Sequence, residues 1–466
     1  MNVEPIFDPR LLSHYDISGP RYTSYPTAPH FSTSFSEDAY RRHARASNDD
    51  PIPRPLSIYV HIPFCSSPCF YCGCNRVVTR DRSKAEAYLQ RVAREVEMQA
   101  ALFDHDRRVT QLHLGGGTPN YLDAGQLREL IGMLRSGFNL ATGEDREFSA
   151  ELDPRHADEA LLRELIAIGF NRVSFGVQDF DPVVQEAINR IQPVEQTLAV
   201  IQAAREVGFR SVSIDLIYGL PKQTVEGFAA TIDQVTAIRP DRIAVYSYAH
   251  LPEMFKAQRQ IEAADLPPPA VKLELLGTAV RMLARAGYHY IGMDHFALPG
   301  DELVRAQDTH TLQRNFQGYS TQADTDLIGL GVSAIGRVGD CFAQNARDLL
   351  SYYAAVDSGH LPVVKGYVRS AEDTLRGDVI QELMCHGELD FQAFEHSHPG
   401  LEFGAHFGAE IQRLGELARD GLVELDERAV RITPRGRLLM RIVAMAFDEH
   451  LARPREQQVA QFSRVI

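Results

Sequence analysis

Four of the six cysteines in this 466-residue chain fall within ten residues: Cys65, Cys69, Cys72 and Cys74. Thiolates bind both zinc and iron–sulfur clusters, and spacing separates the two. Structural zinc sites usually pair two C-x2–4-C knuckles across a loop to close a tetrahedron, and the sequence has no second knuckle. A C-x3-C-x2-C loop can wrap three corners of a [4Fe–4S] cube, whereas most electron-transfer clusters take four cysteines. Three ligands leave one iron with an open position, where a small molecule can coordinate and react. Cys65, Cys69 and Cys72 are read as those ligands. Cys74 is a fourth ligand, a substrate-side group or packing. It is expected not to ligate, because filling the open position would exclude the small molecule. Cys341 and Cys385 stand alone and read as buried apolar residues.

The cysteines need a scaffold, and the surrounding pattern supplies one. Short apolar or β-branched runs at 56–63, 111–114, 147–152, 172–177, 211–216 and 242–247 read as strands. Helical stretches lie between them near 83–102, 125–136, 158–168, 195–207 and 224–237. Such alternation implies parallel strands joined by right-handed crossovers. Six units fall short of a closed eight-unit barrel of about 250 residues, so the expected fold is α/β, an open, incomplete (β/α)6-type barrel. The cysteine loop, Gly115–Thr118, Asp153, Gln178, Gly219 and 248–250 follow the strands, on the rim where parallel α/β folds place their chemistry. Three glycines at 115–117 let the backbone approach a ligand closely; alone they would be no more than a tight turn.

Three regions are expected: an N-terminal arm and linker over 1–50, the barrel over 51–364 and a mostly helical C-terminal domain over 365–466. The arm is poor in helical periodicity, and the prolines around 19–28 favour extended backbone. In the last region, helices near 371–386 and 404–420 precede a hairpin over 421–433 and a helix over 434–447. This resembles a winged-helix unit. Its mixed charge favours a structural lid over DNA binding. The chain carries 48 basic and 62 acidic residues, a net charge of −14. That argues against a general nucleic-acid or anionic-membrane binder. No apolar run is long enough to span a bilayer, and the first residues do not read as a secretory signal. A cytoplasmic monomer is expected, with no nucleic-acid partner and no membrane insertion.

The cysteine spacing after a first strand resembles the signature of the radical S-adenosylmethionine (SAM) superfamily. Within it, the chain resembles the oxygen-independent coproporphyrinogen III oxidases (dehydrogenases) of haem biosynthesis along nearly its whole length. The resemblance is carried by 19–28 (GPRYTSYPTA), 59–64 (YVHIPF), the four cysteines, 115–119, 151–155 (ELDPR), 169–178 (GFNRVSFGVQ) and 215–224 (DLIYGLPKQT). It continues through 248–252 (YAHLP), 292–296 (GMDHF), 315–319 (NFQGY), 329–335 and 461–466 (QFSRVI). Tyr71 stands where the family often has phenylalanine, and Leu114 where a larger aromatic is common; both keep bulk or apolarity.

The resemblance implies a role for each matching residue. Cys65, Cys69 and Cys72 would hold a [4Fe–4S] cluster. Tyr59, Gly116, Glu151, Ala249 and Ile335 would surround the SAM that ligates it. Tyr71, Gly117, Thr118, Gln178, Arg190 and Asp215 would surround a second SAM. His61, two residues after Tyr59, is a candidate near SAM. Each also has a plainer reading: Arg190 as a solvated helix end, Glu151 and Asp215 as turn acids, and His61 as a satisfied core histidine.

The implied reaction converts two propionates of coproporphyrinogen III to vinyl groups, giving protoporphyrinogen IX. The C–H bond to be broken is unactivated, so a side-chain base is of no use at neutral pH. The resemblance implies a 5′-deoxyadenosyl radical that takes the hydrogen atom, followed by loss of CO₂ and of a second electron. An electron donor and an electron acceptor, neither identified by the sequence, complete the partners. Substrate and SAM carboxylates need cationic groups in a shielded site, for which Arg21, Arg190 and Lys222 are candidates. Arg190 is assigned to a SAM carboxylate and Arg21 to the porphyrinogen. Cys74, His61 and Arg21 are taken as the candidate catalytic residues. The competing readings are a haem-binding chaperone with the same barrel and a winged-helix regulator with a redox cluster.

Overall fold

The structure is a computed structural model, which describes residues 4–322, 324–451 and 464. Six parallel strands form its centre: β1 (Leu56–Ile62), β2 (Arg108–Gly116), β3 (Glu147–Leu152), β4 (Arg172–Gln178), β5 (Ser211–Tyr218) and β6 (Arg242–Ser247). They pair in chain order, each with the next. The crossovers are α1 (Ser83–Ala100), α2 (Ala124–Gly137), α3 (Glu159–Ile168), α4 (Val194–Glu206) and α5 (Val225–Ile238), the last four elements being joined to β3–β6 as expected. Helix α1 shows why these segments pack. Ala85, Tyr88, Leu89, Val92 and Val96 recur at helical spacing and are all buried, giving one apolar stripe against the sheet. Helix α2 starts at a capping box between Asp123 and Gln126, and α3 stops at Gly169, which has φ +116°.

The sheet extends beyond six strands at both edges. β7 (His289–Gly292) and β8 (His295–Ala297) add antiparallel beside β6. β9 (Asp326–Leu330) adds parallel to β1. β10 (Ile335–Val338), β11 (Cys341–Asn345) and β12 (Val363–Val368) then continue antiparallel. Among the described residues the two edges, β7 and β12, do not pair, so the sheet is an open, incomplete barrel.

The N-terminal segment holds more helix than its sequence suggests, with helices at Pro9–His14 and Glu37–Ala46. The second buries only Tyr40 and Ala44, too thin a stripe to register as periodicity. Leu12, Tyr22 and Tyr25 pack into a separate core with Val379, Leu383, Phe403, Phe407 and Phe447. Tyr22 donates to Asp448 Oδ2 at 2.9 Å, and Arg441 Nε donates to the Pro20 carbonyl at 2.9 Å. The arm is thereby fastened to the C-terminal region.

In that region helices Ala371–Cys385, Phe391–Ser397, Phe403–His406 and Gly408–Arg419 accompany a three-stranded sheet. The expected hairpin is present as Val423–Leu425 and Ala429–Ile432, and Glu388–Asp390 adds a third strand. The helix expected over 434–447 is shorter, a 3-10 turn at Arg437–Leu439 followed by Met440–Met445. Gly436 explains the delay: a Cβ there would lie 2.0 Å from the Leu422 carbonyl oxygen, so the chain turns tightly first. Cys341 and Cys385 are fully buried and free, as expected. Of the terminal motif 461–466, only Arg464 is among the described residues. No helix of the described residues is long and apolar enough to cross a membrane.

Candidate active site

The cysteine loop leaves the C-terminal end of β1. Phe64–Cys65 pairs with Val77–Val78, which pins both ends of the loop. Arg76 braces its middle, donating from Nη1 to the Cys72 carbonyl at 2.9 Å and from Nη2 to the Cys69 carbonyl at 3.1 Å. Cys65, Cys69 and Cys72 line one wall of a cavity of about 220 Å³. The opposite walls come from the ends of β2 to β5: Gly116, Gly117 and Thr118, then Glu151 and Asp153, then Gln178, then Asp215. Four strands thus each deliver a polar or glycine group to the same rim.

Cations surround the thiols. Arg190, 6 % exposed, donates from Nη2 to the Gly176 carbonyl at 2.7 Å and from Nη1 to Cys69 Sγ at 3.5 Å. The same Nη1 lies 3.3 Å from Asp153 Oδ2, and Arg155 Nη2 is 2.6 Å from that oxygen. Burial alone would raise the Asp153 carboxyl, but Arg190 and Arg155 bring it down to about 2. A hydrogen bond from Cys74 opposes burial at Cys72 and, with Arg76, lowers its thiol to about 6. Cys74 is correspondingly held protonated, and its backbone N–H also donates to Cys72 Sγ at 3.4 Å. Cys65 is pushed up to about 11 by burial.

These residues fit a cluster. Cys65, Cys69 and Cys72 reach one cavity from a single loop, a soft thiolate donor set of the kind a [4Fe–4S] cluster takes. Arg190 Nε and Arg76 Nε are buried without partners, leaving donors available beside the thiols. The glycines at the rim are required by close packing of the chain on itself. A Cβ on Gly117 would meet the Pro63 carbonyl oxygen at 2.7 Å, and Gly116 has φ +115°. The donor set suits a [4Fe–4S] cluster with SAM beside it.

A second cavity, of about 470 Å³, shares Cys74, Gly116, Glu151 and Tyr246 with the first. It is also lined by Tyr59, His61, Ile335 and the basic residues Arg21, Arg314 and Arg347. His61 is 6 % exposed and fully engaged. Its Nε2 pairs with the Asn75 carbonyl at 2.9 Å and its Nδ1 with the Tyr59 hydroxyl at 3.0 Å. Burial keeps the ring neutral, so Nε2 carries the proton and Nδ1 accepts. Two carboxyls on strands β3 and β5, with β4 between them, are driven apart. Burial would raise Glu151, but the hydrogen bond from His113 Nε2 at 3.1 Å outweighs it and holds the carboxyl below its ordinary range. Asp215 is pushed up to about 7, by burial first and then by the Glu151 charge.

Comparison with known proteins decides what this site belongs to. The radical SAM superfamily model matches residues 59–235, and the model of the HemN C-terminal domain matches residues 370–439. The oxygen-independent coproporphyrinogen III oxidase of Pseudomonas aeruginosa is 48% identical over 463 residues, covering 99% of each chain. That of Escherichia coli is 48% identical over 467 residues, covering 100% of each. The solved structure of coproporphyrinogen III oxidase (HemN) from E. coli, described as a radical SAM enzyme, superposes with a TM-score of 0.90 at 46% identity. It covers 96% of this chain and 100% of the other. The chain belongs to the oxygen-independent coproporphyrinogen III oxidase family.

Most of the residues carried over from this family by sequence come together. Cys65, Cys69, Cys72, Tyr71, Gly116, Gly117, Thr118, Glu151, Gln178, Arg190 and Asp215 line the cysteine cavity. Tyr59, His61, Ile335, Arg21 and Cys74 line the adjoining one. Ala249 does not face either; it lines a third cavity with Arg21, Tyr248 and Lys272. Lys222 is remote from all three and pairs with Asp265 at 3.8 Å, half exposed. Arg21 is ion-paired with Asp294, so its guanidinium is already partly satisfied. Sequence reasoning placed Asp153 on the rim without giving it a role, and it missed Arg155 and His113 as members of the site. Their signal was present: Asp153 and Arg155 lie one and three residues past the end of β3, and His113 is two residues before the glycine run.

Proposed function

We propose that this chain carries out the anaerobic oxidative decarboxylation of two propionate side chains of coproporphyrinogen III to vinyl groups. The observation that carries the reading is one rim on which three unpaired thiols, a glycine run and an Arg190–Asp153–Arg155 network meet. That rim opens into a cavity lined by arginines. When bound, a reduced [4Fe–4S] cluster supplies an electron to SAM, and SAM supplies the carbon radical that breaks the C–H bond.

The chain's own residues bind, orient and shield. Cys65, Cys69 and Cys72 would hold the cluster through their thiolates. Arg190 and Arg155 place positive charge beside Cys69 Sγ, which favours the anionic thiolate that binds metal. Gly116 and Gly117 would line the amino-acid end of SAM, where their backbone carbonyls would accept from its ammonium. The ionised Glu151 offers an acceptor in the wall common to both cavities. Tyr59 and His61 lock each other through the Nδ1 hydrogen bond and set the floor below the reacting propionate. Cys74, protonated and facing both cavities, is the substrate-side hydrogen donor. Arg21 meets a propionate by exchanging Asp294 for it. A second SAM is supported by the two adjoining cavities: of the two, Tyr71, Gly117, Thr118, Gln178, Arg190 and Asp215 line only the cysteine cavity, Tyr59 and Ile335 only the other, and Gly116 and Glu151 line both. The arm and C-terminal region cover the site and exclude water.

The experiment is anaerobic incubation of the reconstituted protein with coproporphyrinogen III, SAM and a reductant. Protoporphyrinogen and 5′-deoxyadenosine should both accumulate. Haem binding without turnover would instead support the chaperone reading, which the full-length oxidase relatives disfavour.

A further inference from the structure

Tyr22, Thr23, Ser24 and Tyr25 roof a cavity of about 320 Å³ that nothing above assigns. It shares Thr23, Arg314, Phe316 and Leu327 with the arginine-lined cavity, so the two adjoin across these residues. Three guanidinium groups face it: Arg314, Arg337 and Arg369. Arg337 makes no hydrogen bond or ion pair among the described residues, and its Nε is buried. Arg314 is 7 % exposed; its Nε donates to the Arg21 carbonyl at 3.3 Å, and its Nη1 is buried without a partner. Arg369 Nη2 holds Asp340 at 3.2 Å, but its Nε is buried and unpartnered.

The acids around the cavity offset this charge only through space, and among the described residues none bonds to Arg337. Asp324 is taken by Arg54 at 3.1 Å and Asp378 by His398 at 3.2 Å. Glu382 is raised to about 7 by burial and by Asp378, and it pairs with none of the arginines among the described residues. Burial and the charge of Arg369 lower Arg337 to about 10. Buried guanidinium groups that repel one another and lack partners are costly unless an anion joins them.

Strand geometry gives the anion's place. Ile335 and Arg337 are two residues apart on β10 and share one face of the sheet, separated by about 6.6 Å. Ile335 lines the cavity of Tyr59 and Glu151. Arg337 sits one step along the same face, opposite Phe342 and beside Leu327. A tetrapyrrole with one propionate at the Tyr59 end projects its far carboxylates in this direction.

We propose that Arg314, Arg337 and Arg369 form a carboxylate site for the two propionates that are not converted. The proposal rests on the substrate reading above. The retained carboxylates must be held away from the reacting centre, and arginine's planar fork binds both carboxylate oxygens.

The test measures binding of coproporphyrin III, the unreactive aromatic form of the ring, to the anaerobic holoenzyme. Protoporphyrin IX, which keeps only the two unconverted propionates, serves as the second probe. Arg337→Gln should weaken both by a similar factor, about ten- to a hundredfold, at unchanged iron content and SAM affinity. Arg337→Lys should recover part of the loss. Wild-type affinity of Arg337→Gln for both porphyrins would overturn the proposal. So would a loss confined to coproporphyrin III, because the site would then hold the converted propionates. If Arg337→Gln does not fold, Arg314→Gln and Arg337→Lys carry the same comparison. Failure of the wild-type protein to convert coproporphyrinogen III would overturn the substrate reading itself.

Discussion

Replacing Arg190 by alanine removes a cation that touches three partners at once: the Gly176 carbonyl at 2.7 Å, Asp153 at 3.3 Å and Cys69 Sγ at 3.5 Å. Hydrogen bonds to charged groups contribute about 1.5–3 kcal/mol each. Stranding a buried carboxylate would cost about 3–5 kcal/mol, but Asp153 keeps Arg155 at 2.6 Å. The expected loss of stability is therefore about 2–3 kcal/mol. The functional loss falls on SAM, for which the Arg190 fork is the assigned carboxylate partner, and about 1.4 kcal/mol per decade makes it ten- to a hundredfold. The assay is SAM binding and reductive SAM cleavage by anaerobic protein at matched iron content, with urea denaturation in parallel. Arg190→Lys keeps the charge but not the fork, and should recover only part of each effect. Wild-type SAM affinity and cleavage in Arg190→Ala, with a fully loaded cluster, would refute the assignment.

Three further outcomes are expected. Cys69→Ser should lose iron and activity, because serine is hardly ionised at neutral pH, whereas Cys74→Ser should keep the cluster and slow turnover; equal iron loss in both would make Cys74 a ligand. Arg21→Ala should raise the KM for coproporphyrinogen without loss of iron, and an unchanged KM would show that its pairing with Asp294 is purely structural. Glu95 is completely buried and accepts from Gly331 N–H, Asn345 and Tyr352. Burial raises its carboxyl from 4.5 to about 7, so the folded state binds the extra proton and this contribution to stability is lost as pH rises from about 4.5 through 7. Wild-type urea midpoints should fall over that window, and Glu95→Gln should flatten the fall; an unchanged slope would refute the attribution.

The six central strands were legible because each is a short apolar run followed by a polar or glycine break. β3 and β6 begin and end where the pattern places them. β9 was not legible. Its five residues are all buried, so they show no alternation, and its partner β1 lies some 270 residues earlier in the chain. The three cysteines proposed as cluster ligands could be picked out from thiolate chemistry and spacing, and the fold brings them to one cavity. The roles around SAM could not, since Glu151 and Asp215 look alike in sequence. Their opposite protonation preferences arise from the His113 contact and from burial, which only the folded chain sets. The choice of Lys222 failed for the same reason: a residue after β5 is near the rim in sequence, yet its side chain turns away to Asp265.

Deuterium transfer tests the central claim most directly. Coproporphyrinogen III would be labelled on the propionate carbon next to the one bearing the carboxylate, and incubated anaerobically with the loaded protein, SAM and reductant. The account predicts that deuterium appears in 5′-deoxyadenosine as protoporphyrinogen forms. Unlabelled 5′-deoxyadenosine accompanying vinyl formation would contradict it.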